Sequence, residues 1–182
     1  MEKVISIIYE IVSVLIMATV ILAIIFTFFF RFVGVIGDSM NPTLASGDWT
    51  GVSQIGMNYT PNYGDVVVIA RPGEMEESII KRVIATEGET INIDFLTGRV
   101  FLDGSEIVEP YIANATTNGY DMNFPLTVPE GYSFVMGDNR QGSLDSRSTV
   151  IGLIDNRMII GKATFGITKD GVTSLDVSQY LE

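Results

Sequence analysis

A lysine set in the middle of an apolar run is the first residue of this sequence that invites a chemical reading. Lys81 stands in Ile79-Ile80-Lys81-Arg82-Val83-Ile84-Ala85. Alternation along a strand puts Ile79, Lys81, Val83 and Ala85 on one face and Arg82 on the other. Between Ile79 and Val83 the ammonium loses hydration, and desolvation lowers the amine's pKa from about 10.4. At that ordinary value only about one lysine in a thousand is neutral near pH 7.4. A fall of roughly two to three units, equivalent to about 3–4 kcal/mol, makes the amine a usable general base. The same strand also accommodates an edge lysine whose stem lies on the sheet while its ammonium reaches water.

A base needs a nucleophile, and Ser39 is placed to be one. It lies in Gly37-Asp38-Ser39-Met40-Asn41-Pro42-Thr43-Leu44, where glycine and proline restrict the backbone. Such a loop can hold a hydroxyl rigidly and aim backbone N–H groups at a developing oxyanion, or it can be an ordinary turn whose serine bonds its own backbone. A third cluster, residues 137–147 (GDNRQGSLDSR), packs Asp138, Asn139, Arg140, Ser143, Asp145 and Arg147 into one segment. That density suits an internal hydrogen-bond network that stiffens a site.

The sequence contains neither histidine nor cysteine. Ser-His-Asp triads, Cys-His dyads, disulfides and metal sites built on histidine or thiolate are thereby excluded. Hydrolysis must then run on Ser, Thr, Lys, Tyr or carboxylates, and no metal and no cofactor are expected. With 22 acidic against 11 basic residues, a net charge of −11, the polar part of the chain repels phosphate backbones and anionic headgroups. Nucleic acid is not expected as a partner.

The elements that must position these residues fall into two parts. Residues 11–30 are 20 consecutive positions without a charge, enough for a helix across the roughly 30 Å hydrocarbon core. A cleaved leader has a shorter apolar core, about 7–15 residues, followed by small residues. Here the run is longer and Arg31 and Phe32 follow it, so residues 1–32 are read as a retained anchor in a lipid bilayer. Lys3 and Arg31 flank it on opposite sides, and the positive-inside rule does not orient it. Beyond the anchor, segments 65–70, 78–85, 90–94, 99–102, 133–136 and 158–168 are rich in Val, Ile and Phe and read as strands. Asp103-Gly104 marks a tight hairpin, residues 95–98 a second turn, and 114–123 a polar loop. Residues 33–182 are therefore expected to form one mostly-β domain.

Taken in order, GDSMNPTL around Ser39, GDVVVI at 64–69, Lys81-Arg82-Val83-Ile84 and the cluster 137–147 resemble the motifs of type I signal peptidases. The resemblance covers nearly the whole chain after the anchor. It implies a signal-peptidase-type β domain, single-pass anchoring in the plasma membrane with that domain outside the cytoplasm, and preprotein signal peptides as substrates. It implies a Ser/Lys dyad of Ser39 and Lys81, with Ser143 orienting the lysine, Asp145 and Arg147 as a supporting ion pair, and Asp138 with Arg140 structural in the same way. Small residues at the first and third positions before the cut bond are implied too, and Val35, Met40, Leu44 and Ile80 are candidate walls for shallow pockets. Gly37 stands where Gram-negative members carry a serine that helps form the oxyanion hole. The glycine and the single anchor look more like the Gram-positive form. Oxyanion stabilisation then rests on the Ser39 N–H, and Gly37→Ser is expected to be tolerated.

Two other readings fit parts of this pattern. A non-catalytic membrane-tethered β-domain acting as a binding or assembly factor would not need both dyad residues, and both are present. A specialised peptidase for surface or pilin-like proteins shares the chemistry and differs only in substrate range. Self-cleaving Ser/Lys repressors carry a DNA-binding segment, which a membrane span replaces here.

Overall fold

The valine-rich run at 66–69 becomes the centre of the molecule because it is buried on both sides. In the computed structural model, which describes residues 2–54, 59–70, 72–73 and 77–177, Val66 and Val68 point into one apolar cluster with Met40, Leu44, Val52 and Ala163. Val67 and Ile69 point into another with Val83, Val135, Ile151 and Ile154. A strand apolar at every position is what burial on both faces demands.

The chain opens with helix α1 (Glu2–Phe29) and passes without an intervening residue into β1 (Phe30–Gly34). Within α1, Lys3–Ile24 is long and apolar enough to cross a membrane, with a mean hydropathy of 2.6. β2 (Trp49–Gln54), β3 (Val66–Ile69) and β4 (Ile79–Thr86) come after it. A hairpin module is next: β5 (Thr90–Asp94), β6 (Arg99–Leu102), β7 (Ser105–Glu106) and, after a long loop, β8 (Leu126–Thr127). β9 (Tyr132–Met136), β10 (Ile154–Asp155), one 3-10 turn (Asn156–Met158), β11 (Ile159–Thr168) and β12 (Gly171–Ser174) complete the described chain.

Two antiparallel sheets result. The larger runs β1-β2-β11-β3-β4-β9-β10, with β12 also paired to β11; the smaller runs β7-β6-β5-β8. Between them Ile84, Ala85, Ile91, Val100, Phe134 and Met136 form a third apolar cluster. The mostly-β expectation holds, and the six expected strands are present with ends shifted by a residue or two. β1, β2, β12 and the two-residue strands β7, β8 and β10 were not among them; β1 includes residues 30–32 of the stretch assigned to the anchor. Residues 178–182, assigned to the β domain, lie outside the described residues. The Asp103-Gly104 turn forms as expected, with both residues at positive φ (49° and 81°) between β6 and β7.

One expected alternation breaks. Ile79 and Val83 share a face, but the register shifts between Val83 and Ala85, and Ala85 joins Ile84 in the inter-sheet cluster. A bulge adds one residue to a strand and flips the facing of the residues beyond it.

One end of the large sheet keeps an apolar face open to solvent. Gly34, Trp49, Ile167 and Val172 are direct partners across β1, β2, β11 and β12, and Trp49 and Val172 are 53% and 74% exposed. In the next row Phe32, 58% exposed, meets Phe165 edge to face, with 6.2 Å between ring centroids.

Candidate active site

The loop that leaves β1 is pinned at both ends. Val35 N donates to Asp48 O and Gly47 N to Val35 O, at 2.8 and 2.9 Å, while Met40 and Leu44 sink into the core. Ser39 is left half-buried between these anchors and lines a cleft of about 280 Å³. The cleft runs between the segment from Val33 to Ser39 and the start of β4, and Leu144 adds a wall from a third segment. Of the four expected pocket residues, Val35, Met40 and Ile80 line it. Leu44 does not. It lies in the core beneath Gly166, where an added Cβ would stand 2.6 Å from its Cδ2.

β4 brings Lys81 to this loop. Its Nζ lies 2.7 Å from Ser39 Oγ and donates also to Ile80 O at 3.2 Å. The residue is 4% exposed. Burial is the dominant influence on the amine and lowers its pKa to about 8; Asp145 and Asp138 oppose the shift and Arg147 adds to it. At pH 7 roughly a tenth of such an amine is neutral, against about one in several thousand at the ordinary value.

Behind the dyad stands a network of buried ions. Asp145 pairs with Arg147 at 2.8 Å, as expected, and its other oxygen accepts the Gly137 N–H at 3.0 Å. Arg147 in turn donates to the carbonyls of Ser143, Arg140 and Asn118. The expected pairing of Asp138 with Arg140 does not form. Asp138 takes two bonds from Arg82, at 2.8 and 2.7 Å, and one from Thr43, while Arg140 makes a two-bond pair with Glu109 at 2.8 and 2.6 Å. The reason is geometric: Arg82, on the face of β4 away from Lys81, faces Asp138, and the loop carrying Glu109 closes over Arg140. A buried guanidinium needs a carboxylate, and that rule alone flags Arg82 in its apolar strand as a residue with a hidden partner.

Ser143 differs from expectation as well. Its Oγ is buried without a hydrogen-bond partner, and the bonds of Lys81 go to Ser39 and the Ile80 carbonyl instead. Between Ser143 and the nucleophile loop sits Gly137. A Cβ there would lie 2.3 Å from both Ser143 Oγ and Ser39 O, so only glycine lets the two segments close. No local pattern marks that requirement in the sequence.

Gly37 has open space around it but a φ of +87°. The expectation that serine is tolerated there therefore changes: the side chain fits, and the backbone resists it by about 1 kcal/mol. Gly37→Ser is expected to lower the unfolding free energy by that amount and to leave kcat no higher than the parent's, which denaturant titration and a turnover assay check together.

The arrangement is a hydroxyl and a buried, pKa-depressed amine in contact beside an apolar cleft, in a chain without histidine, and it suits acyl transfer through a serine ester. Comparison with known proteins agrees. Residues 8–168 match the family described as signal peptidase, peptidase S26. A probable signal peptidase I-1 from Synechocystis is 36% identical over 83% of this chain and 78% of its own length. Signal peptidase I from Bacillus licheniformis is 34% identical over 86% and 87%. The crystal structure of a signal peptidase I from Enterococcus faecalis superposes with a TM-score of 0.50 and 28% identity, covering 58% of this chain and 98% of that one. The chain belongs to the signal peptidase family, peptidase S26, and is a serine endopeptidase that cleaves signal peptides.

Proposed function

We propose that cleavage runs on a Ser39/Lys81 dyad, with the preprotein's apolar segment in the bilayer and its cut site in the cleft beside Ser39. The observation that carries this reading is the 2.7 Å contact between Nζ and Oγ at a lysine withdrawn from water. Neutral Lys81 takes the Ser39 proton as Oγ bonds to the scissile carbonyl carbon. The resulting ammonium then protonates the leaving amine, the C–N bond breaks, and an ester on Ser39 remains. Neutral again, Lys81 takes a proton from water as the water attacks the ester, and returns it to Oγ as the acid product leaves. Once Oγ is acylated, the unused Ser143 hydroxyl is the partner we assign to Lys81. Asp145, Arg147, Asp138 and Arg140 hold the segments in place through the network of ion pairs. The walls at Val35, Met40 and Ile80 suit small side chains before the bond.

Anchoring is read from α1, with the domain outside the cytoplasm. The exposed face of Phe32, Trp49, Ile167 and Val172, spread over two adjoining rows, begins on the strand that succeeds the helix, and an open apolar face of this kind suits an interfacial position. A model preprotein tests the catalytic reading. Wild type is expected to release a mature chain whose new N-terminus lies just after a small residue, and Ser39→Ala is expected to release none. Normal turnover by that variant sinks the assignment.

A further inference from the structure

The peptide that joins Asp38 to Ser39 is held from behind by a side chain so far without a role. Asn139 Nδ2 donates to Asp38 O at 3.1 Å, and Asn139 N donates to Ser39 O at 3.0 Å. The two carbonyls that flank the nucleophile are thus both fixed by one residue of the opposite loop. The amide cannot turn over. Its Oδ1 accepts the Gly142 N–H at 3.1 Å, and a Cβ on Gly142 would stand 2.7 Å from Nδ2. Gly142 N donates also to Asn139 O at 3.0 Å, so Oδ1 shares that donor; a flipped amide would still set its NH₂ against the Gly142 N–H and its oxygen against Asp38 O, which keeps the NH₂ group toward Asp38. A second donor, Asn41 N at 3.1 Å, reaches the same Asp38 oxygen.

In a trans peptide the carbonyl and the N–H point in opposite directions across one rigid plane. Fixing Asp38 O therefore fixes the direction of the Ser39 N–H. Hydrogen bonds to the carbonyl also polarise the amide and strengthen that N–H as a donor. Gly37 supplies no hydroxyl at this place, which leaves the Ser39 N–H as the principal donor to charge developing on the scissile oxygen. We infer that Asn139 is a positioning residue for the oxyanion hole: it acts through the Asp38–Ser39 peptide, aiming and sharpening the N–H that receives the carbonyl oxygen when Oγ bonds to the carbon. The inference rests on Ser39 being the nucleophile.

The test separates ground state from transition state. Loss of an oxyanion donor costs about 10²–10³-fold in kcat, and loss of its alignment should cost less, about 10–100-fold. Asn139→Ala and Asn139→Asp are compared with wild type for kcat, KM, pH profile and the affinities of two probes. One probe is a peptide boronate, which forms a tetrahedral adduct on the serine; the other is the cleaved signal peptide, which binds without bonding. The expected result is a roughly 10–100-fold loss in kcat matched by the boronate, with KM and product-peptide affinity within about twofold. The rising limb of the pH profile should keep its midpoint. Asn139→Asp retains the acceptor for Gly142 but replaces the donor toward Asp38 with a charged acceptor. If the alanine variant does not fold, it decides the matter together with the pH profile, in which a shifted midpoint marks the added charge and an unshifted one the lost donor. Parental kcat in Asn139→Asp, or equal losses for boronate and product peptide, overturns the inference. Ser39→Ala in the same assay tells the two failures apart. An inert Ser39→Ala beside a fully active Asn139→Asp removes only the role of Asn139, whereas an active Ser39→Ala removes the nucleophile itself.

Discussion

Lys81→Met is expected to lower kcat by about 10⁴-fold, the upper range for loss of a general base, while making the folded protein more stable at neutral pH. The two effects share one cause. Burial holds the amine's folded-state pKa at about 8 against an ordinary 10.5. Below pH 8 both folded and unfolded chains carry the proton, and the folded chain bears the full cost of a desolvated ammonium. Between about 8 and 10.5 the unfolded chain binds more protons, so wild-type stability rises with pH through that window. Methionine fills the same space and carries no proton. Its advantage should be about 1–3 kcal/mol at pH 6.5, shrinking above pH 8 and closing near 10.5. Urea titrations at three pH values check this. The wild-type rate should rise with pH toward a plateau above about 8, as the neutral amine accumulates. A rate independent of pH between 6 and 8 would falsify the role of Lys81 as base.

Gly137→Ala should be nearly as damaging, though it touches neither member of the dyad. Gly137 does not need a left-handed backbone, so alanine meets no conformational penalty and the effect is purely steric. The methyl would come within 2.3 Å of Ser39 O and of Ser143 Oγ. Ser39 O is tied to Asn139 N at 3.0 Å, turning Ser143 Oγ away still leaves its Cβ 2.6 Å from the methyl, and Gly137 N is tied to Asp145. The nucleophile loop must move instead, and a displacement of about 1 Å between reacting groups is worth about 10²-fold in rate. The expected outcome is a loss of about 10²–10³-fold in kcat with an overpacking cost of about 1–3 kcal/mol. Turnover and a thermal melt measure the two, and parental turnover would mean that the loops do not meet as described.

Strands whose both faces are buried announced themselves, because every position of β3 must be apolar. β1 was hidden by its own hydrophobicity, since Phe30-Arg31-Phe32-Val33-Gly34 continues the apolar run of the helix. β2, Trp49-Thr50-Gly51-Val52-Ser53-Gln54, carries a glycine that Phe165 covers from a strand more than a hundred residues away. Ser39 and Lys81 stood out through the resemblance of four ordered motifs to those of signal peptidases; the missing histidine narrowed the chemistry, but Lys81 alone also read as an edge-strand lysine. The partners of the supporting ions did not stand out. Asp138 lies 56 positions from Arg82 and Arg140 lies 31 from Glu109, and the nearer pairing of Asp138 with Arg140 was the natural but incorrect choice. Leu44 misled for a similar reason: five residues after Ser39, it has already turned from the cleft into the core.

The passage from Phe29 to Phe30, helix to strand with nothing between, has a consequence for how substrates are measured. On the proposed anchoring the protein has no tether on which the reaction centre could drift. Its altitude above the lipid is built into the chain, like the stop on a cutting bench. A preprotein is then gauged by the distance from the end of its own greasy stretch to its scissile bond, and residues too near the bilayer or too far from it never reach the blade.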